Sequence, residues 1–186
     1  MARIKYGISN VYYAPVTGES GGVLTYGQVT PLIGAVALTL DASGEEIREY
    51  ADNVIWYAQD VNNGYTGTLE IEELPEDFRT TILGEEKDTN DVLWESSDAQ
   101  VTEFALLWQF EVGGDATVTA KRGCLLRCTA SRPAINGQTK EATITPNHDT
   151  VNIVAMPRVS DHLAKATCES TSASFATWFN AVPVKA

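Results

Sequence analysis

His148, His162, Cys124, Cys128 and Cys168 are the residues whose types could carry acid–base, nucleophilic or metal chemistry. Their settings decide whether they do. His148 lies in the turn-like run Pro146-Asn147-His148-Asp149, where polar residues are expected, and His162 follows Asp161 in a polar connection. Each reads as a solvated or locally bonded histidine. A serine, a histidine and an aspartate can be picked out of almost any chain, but no G-x-S-x-G elbow supports a triad here. Cys124 and Cys128 are spaced C-x-x-x-C with no second tight pair, a poor match to a zinc site. Leu125 and Leu126 between them read as strand. Four residues along a strand put the Cα atoms roughly 13 Å apart, too far for a disulfide or a shared metal ion. The three thiols are therefore expected to be free.

Two acidic runs, Glu70-Ile71-Glu72-Glu73 and Glu85-Glu86-Lys87-Asp88, raise the question of paired carboxylates. Glu70 and Glu72 share one face of a strand, which makes an acidic stripe more readily than a catalytic dyad. There is no D-x-D-x-D-G calcium loop, no P-loop and no G-x-G-x-x-G. No catalytic, cofactor-binding or metal-binding residues are assigned, and no cofactor is expected. Such a chain reads as a binding module or a building block rather than an enzyme.

The elements that would position these residues are mostly strands. Phe104, Leu106, Trp108 and Phe110 share one face of a strand, with Ala105, Leu107, Gln109 and Glu111 on the other. Val36, Leu38 and Leu40 alternate in the same way, as do Leu69 and Ile71, and then Val151, Ile153 and Ala155. Thr143–Thr145 and Thr150–Ile153 flank the Pro146–Asp149 turn and read as a hairpin. Helix signals are few. Pro75 suits a first helical position, with Glu76 and Asp77 at the positive end of the dipole, Phe78 and Ile82 at i and i+4, and Gly84 as the stop. This predicts a short helix over 75–83. Phe175, Trp178, Phe179 and Val182 predict a second, closed by Pro183 and capped by Ser172 or Ser174. Glu45–Ala51 has helical propensity between β-like runs and stays open. The aromatics Trp56, Tyr57, Trp94, Trp178 and Phe179 are expected in the core, with a subunit interface as the other setting. The sum is a mainly β, β-rich α+β fold: an antiparallel β-sandwich or barrel with one or two short helices, in a single domain over residues 1–186.

Composition limits the partners. The 186 residues carry 13 Lys and Arg against 25 Asp and Glu, a net charge of −12. A nucleic-acid reader needs a basic face, and so does a surface drawn to anionic lipid. Nearly all of the excess acid lies between Asp41 and Asp91. That run reads as a solvated surface, or as a wall of one sign facing a polyanion. With 44% hydrophobic and 20% charged residues the chain has the usage of a folded domain. No apolar run is long enough to cross a bilayer, and the first residues have no signal-peptide core. Three cysteines are an odd count that suits a reducing compartment better than a disulfide framework.

Against that background the order of several short segments resembles a known family. Ile8-Ser9-Asn10-Val11-Tyr12-Tyr13-Ala14 is similar to the start of the major tail proteins, or tail tube proteins, of bacteriophages with long non-contractile tails. The resemblance continues at Pro31, Gly34-Ala35, Tyr50-Ala51-Asp52-Asn53, Thr68-Leu69-Glu70, Leu74-Pro75 and Ile82-Leu83-Gly84. It resumes at Phe104–Trp108, at Thr139–Arg158, and at Trp178-Phe179 with Val182. The cysteines are no part of that pattern. The resemblance implies a tail-tube β fold and a structural role in the virion, made in the bacterial cytoplasm. Such subunits form hexameric rings that stack into a tube around a lumen. The lumen holds a tape-measure protein before infection and conducts DNA during it. The implied partners are further copies of the chain, the tape-measure protein, and the tail initiator, distal tail and terminator proteins. No membrane and no specific DNA site are implied, and an acidic lumen would not trap moving phosphate. The alternatives are the tube of a related bacterial injection or tail-like particle, and a β-sandwich that binds carbohydrate or a host protein through exposed aromatics.

Overall fold

The computed structural model describes residues 3–114, 117–139 and 146–185. In chain order the strands are β1 (Ile4–Ser20), β2 (Val23–Tyr26), β3 (Thr30–Pro31), β4 (Ala35–Ser43), β5 (Glu46–Ala51), β6 (Val54–Asp60) and β7 (Gly64–Ile71). After the helix α1 (Glu76–Thr81) come β8 (Glu86–Lys87), β9 (Leu93–Trp94), β10 (Phe104–Gly114), β11 (Thr117–Ala130), β12 (Asp149–Ala155) and β13 (Lys165–Glu169). Strands dominate the described residues and α1 is short, so the fold is mainly β, as the period-2 runs predict. Nine strands form one antiparallel sheet in the order β2-β1-β10-β11-β12-β7-β4, with β3 also on β1 and β13 also on β11. The pairs β5–β6 and β8–β9 are separate two-stranded ribbons.

β10 sits between β1 and β11 and is buried on both faces. Phe104, Leu106 and Trp108 face a core shared with Val11 and Tyr13 of β1, Leu69 and Ile71 of β7, and Val151 and Ile153 of β12. Strands so far apart in the sheet share one core because the sheet curves around it. The helix fills the curve: the Phe78 ring meets Tyr13 edge-on at 5.0 Å and Phe104 at 5.5 Å. Ala105 and Leu107 face the other way, into a second core with Cys124, Leu126, Trp178 and Val182. The alternation predicted for 104–110 therefore holds, and the face expected to be the weaker one is also covered.

Long β1 bends where left-handed residues interrupt its pairing with β10. Gly7 (φ 56°) falls at one irregularity and Asn10 (φ 51°) at the next. The expected helix over 75–83 forms over Glu76–Thr81, one residue later than Pro75 would allow, because Pro75 is the N-cap residue with extended ψ. Glu76 and Asp77 occupy its first turn, and Gly84 (φ 75°) follows it.

The second expected helix does not form. Residues 170–181 are successive turns. The backbone bonds there run from Phe175 N to Ser172 O, from Trp178 N to Phe175 O and from Asn180 N to Thr177 O, all three residues apart. The Ser- and Thr-rich stretch before Phe175 offers the backbone hydroxyl partners that compete with a helix. Trp178 and Val182 are nonetheless buried, and Phe175 and Phe179 pack on the same core. Arg122 anchors the segment. Its guanidinium lies 3.8 Å from the Phe175 ring centroid and 4.5 Å from that of Phe179, and it donates to the Phe175 carbonyl.

The strand predicted through Val151–Ala155 forms as β12, while Thr143–Thr145, the other half of the expected hairpin, lies outside the described residues.

Candidate functional site

The acidic stripe is where the sequence places it. Glu70 of β7 and Glu72, just past its end, both lie against His148. His148 Nδ1 is 2.7 Å from Glu70 Oε1, and Nε2 is 3.7 Å from Glu72 Oε1. The pairing of β7 with β12 brings them together, since Glu70 lies opposite Thr150, two residues after His148. The expectation of a solvated or locally bonded His148 is corrected: its partner Glu70 lies 78 residues away in sequence and is brought to it by the pairing of the two strands. His162 is exposed, with a left-handed backbone (φ 56°), in the connection before β13.

The second acidic run is tied down residue by residue. Glu85 is buried and ion-paired to Arg79 at 3.0 Å. Lys87 bridges Glu76 at 2.7 Å and Asp91 at 3.0 Å. Asp88 accepts from the backbone N–H groups of Val92 (3.0 Å) and Asn90 (2.8 Å) and from Trp94 Nε1 (3.0 Å). These bonds, that from Val92 first, hold its carboxyl below the usual carboxylate range. The run builds the turn between β8 and β9. Among the described residues no group of three or more His, Cys, Asp and Glu side chains is arranged to hold a metal ion.

All three thiols are free and buried. Cys124 and Cys128 both lie on β11, as expected, but they face opposite cores: Cys124 sits beside Leu107 and Trp178, Cys128 beside Phe104 and Leu106. Four residues along a regular strand would put both on one face. An irregularity in the pairing, with Phe104 opposite Cys128 but Leu106 opposite Leu125, shifts the register by one residue and turns them apart. Burial pushes both thiols well above their ordinary pKa, so neither is poised as a thiolate nucleophile.

What stands out on the surface is not a cleft but an arm. The Glu45–Ala51 stretch, open between helix and strand on sequence grounds, is β5, and it pairs with β6. Asp52 (φ 51°) and Asn53 (φ 63°) both take the left-handed conformation, which makes the two-residue connection of a tight hairpin. Every residue of β5 and β6 is exposed. The arm carries Ile47, Tyr50, Val54, Ile55, Trp56 and Tyr57, with Trp56 at 74% and Tyr50 at 66% exposure. Trp56 and Tyr57 are therefore surface residues, against the expectation of core. Trp94, at 60%, is corrected in the same way, while Trp178, at 6%, is core as expected.

The arm is rooted firmly. Val61 N donates to Glu45 O at 2.9 Å and Asn63 N to Ser43 O at 2.8 Å, so its ladder runs on into β4 and β7. At this bend the strands approach so closely that a Cβ on Gly44 would lie 1.9 Å from the Val61 carbonyl oxygen. Asn62 Oδ1 accepts from Gly64 N at 2.9 Å and fixes the bend on the other strand. The sheet also ends openly. Among the described residues β4 pairs only with β7, β2 only with β1, and β13 only with β11.

The hairpin is what sequence reasoning missed. Its signal was the turn-forming Asp52-Asn53 pair just ahead of the β-branched and aromatic run Val54-Ile55-Trp56-Tyr57. Compared with protein-family models and with curated proteins, the sequence matches none.

Proposed function

We propose that this chain is a structural subunit that builds a tube, of the kind found in long non-contractile bacteriophage tails. The observation that carries the reading is the β5–β6 arm. A two-stranded ribbon standing alone in water is marginal at best, and an exposed apolar surface of this kind marks a contact site. Open sheet edges point the same way, since unpaired strand edges invite pairing with another chain. A ring closes when such contacts repeat around an axis, and stacking head to tail then grows a filament. The family resemblance of the Tyr50-Ala51-Asp52-Asn53 segment falls on the arm itself. On this reading the subunit has no catalytic role, belongs to the virion, and lines or surrounds a lumen that passes DNA without binding it specifically. Its partners are its own copies, a tape-measure protein and the proteins that begin and end the tail.

Shortening the arm tests this. Replacing residues 46–60 by a two-residue turn should leave the melting temperature within a few degrees of the parent, because no buried side chain is lost. Sedimentation velocity should then show concentration-dependent association for the parent and a monomer for the shortened chain. Equal association of the two would overturn the role of the arm. A parent chain that stays monomeric and binds a glycan through Trp56 would favour the binding-module reading.

A further inference from the structure

The arm is acidic as well as apolar: Glu45, Glu46, Glu49, Asp52 and Asp60 stand against the single cation Arg48, which is already paired with Glu46. A partner surface for it should therefore be basic, and the rest of this chain is mostly not. The cations are largely committed. Arg3, Arg79, Lys87, Arg127, Arg132 and Arg158 each pair with carboxylates.

One groove differs. It has a volume of about 640 Å³ and runs between β13 and the C-terminal turns. Lys165 and Lys185 line it, and neither forms an ion pair with a carboxylate among the described residues. Lys165 instead bonds the Tyr65 hydroxyl at 2.6 Å. Arg158 in the same wall is held by Asp161, whose carboxylate Lys185 also feels, so Lys165 and Lys185 add positive charge to the wall beyond that ion pair. Leu163, Val182 and Val184 give the groove an apolar lining, with Val184 85% exposed. Its strand wall has the right length. β13 has five residues and β5 has six, so both extend for roughly 17–20 Å. β13 pairs with β11 on one side only among the described residues, so its other edge can accept a strand.

We infer that the β5–β6 arm of a second copy of this chain docks in this groove, with its carboxylates beside Lys165 and Lys185 and its apolar side chains against Leu163, Val182 and Val184. The inference rests on the tube-subunit reading and adds the partner surface to it. Each copy then donates an arm and receives one, a head-to-tail contact that propagates. Opposite charges across the joint would select the register, and like charges elsewhere on the acidic surface would disfavour other encounters.

Zero-length carbodiimide cross-linking of a one-to-one mixture of ¹⁴N- and ¹⁵N-labelled chains tests it. Mixed-isotope peptides joining Glu46 or Glu49 to Lys165 or Lys185 are expected. A charge swap gives the second measurement. K165E/K185E should weaken self-association at least tenfold, while K5E/K121E, with the same change in net charge, should not. Adding E46K/E49K to the K165E/K185E chain should restore association. If the parent associates but these cross-links are absent, or if the swap does not rescue, the groove is wrong and the tube reading stands. If the parent does not associate at all, even at high concentration with a tail initiator present, the tube reading fails and this inference with it.

Discussion

Phe104→Ala should lower the free energy of unfolding by about 3–5 kcal/mol. The ring is fully buried, faces the core inside the curved sheet and packs edge-on against Phe78. Truncation removes its own apolar contacts and leaves a cavity between β10 and α1, where the backbone on both sides is held by the ladder and by the Pro75–Gly84 turn. For a domain of this size each kcal/mol moves the melting temperature by about 2–4 °C, so a drop on the order of 6–20 °C is expected. Calorimetry of the variant checks it. A melting temperature within 2 °C or so of the parent would mean that this face of β10 is not the core.

The second large effect is expected at Gly64, where the arm joins the sheet. Its φ of +102° is a backbone conformation that side-chain-bearing residues rarely adopt, and a Cβ there would lie 1.9 Å from the carbonyl oxygen of Ala155 on β12. Two costs add in Gly64→Ala: backbone strain of about 1–3 kcal/mol and forced separation of β7 from β12 of about 1–3 kcal/mol. The separation would be felt at Val151 and Ile153, which β12 buries in the main core. Gly18→Ala is the control, since nothing lies within 4 Å of a Cβ there. Denaturant unfolding of the two variants should show a large loss for the first and little change for the second. Equal stabilities would contradict the close approach of β7 and β12.

The strands that bury one clear apolar stripe could be read from the chain, because alternation is a local property. β7, β10 and β12 each carry it, and α1 carries the equally local i, i+4 pair and its glycine stop. The features that depended on distant pairing could not be read so. Glu45–Ala51 has the composition of a helix, and what makes it a strand is its ladder with Val54–Asp60 across the Asp52-Asn53 turn. The opposed faces of Cys124 and Cys128 follow from an irregularity in the pairing of β10 with β11, which no spacing rule reveals. The contact of His148 with Glu70 arises only once β12 has found β7. At the C-terminus the 3.6-residue pattern of Phe175, Trp178, Phe179 and Val182 marked the buried face correctly and the backbone wrongly. The ring of Arg122, Phe175 and Phe179 contacts holds those side chains inward without a helix.

Electron microscopy of the concentrated full-length chain tests the central claim most directly. Negative-stain images with a phage tail initiator present should show hollow filaments whose end views are sixfold rings, and the chain with residues 46–60 replaced by a turn should give none. A full-length chain that remains a dispersed monomer at high concentration with the initiator present would contradict the account.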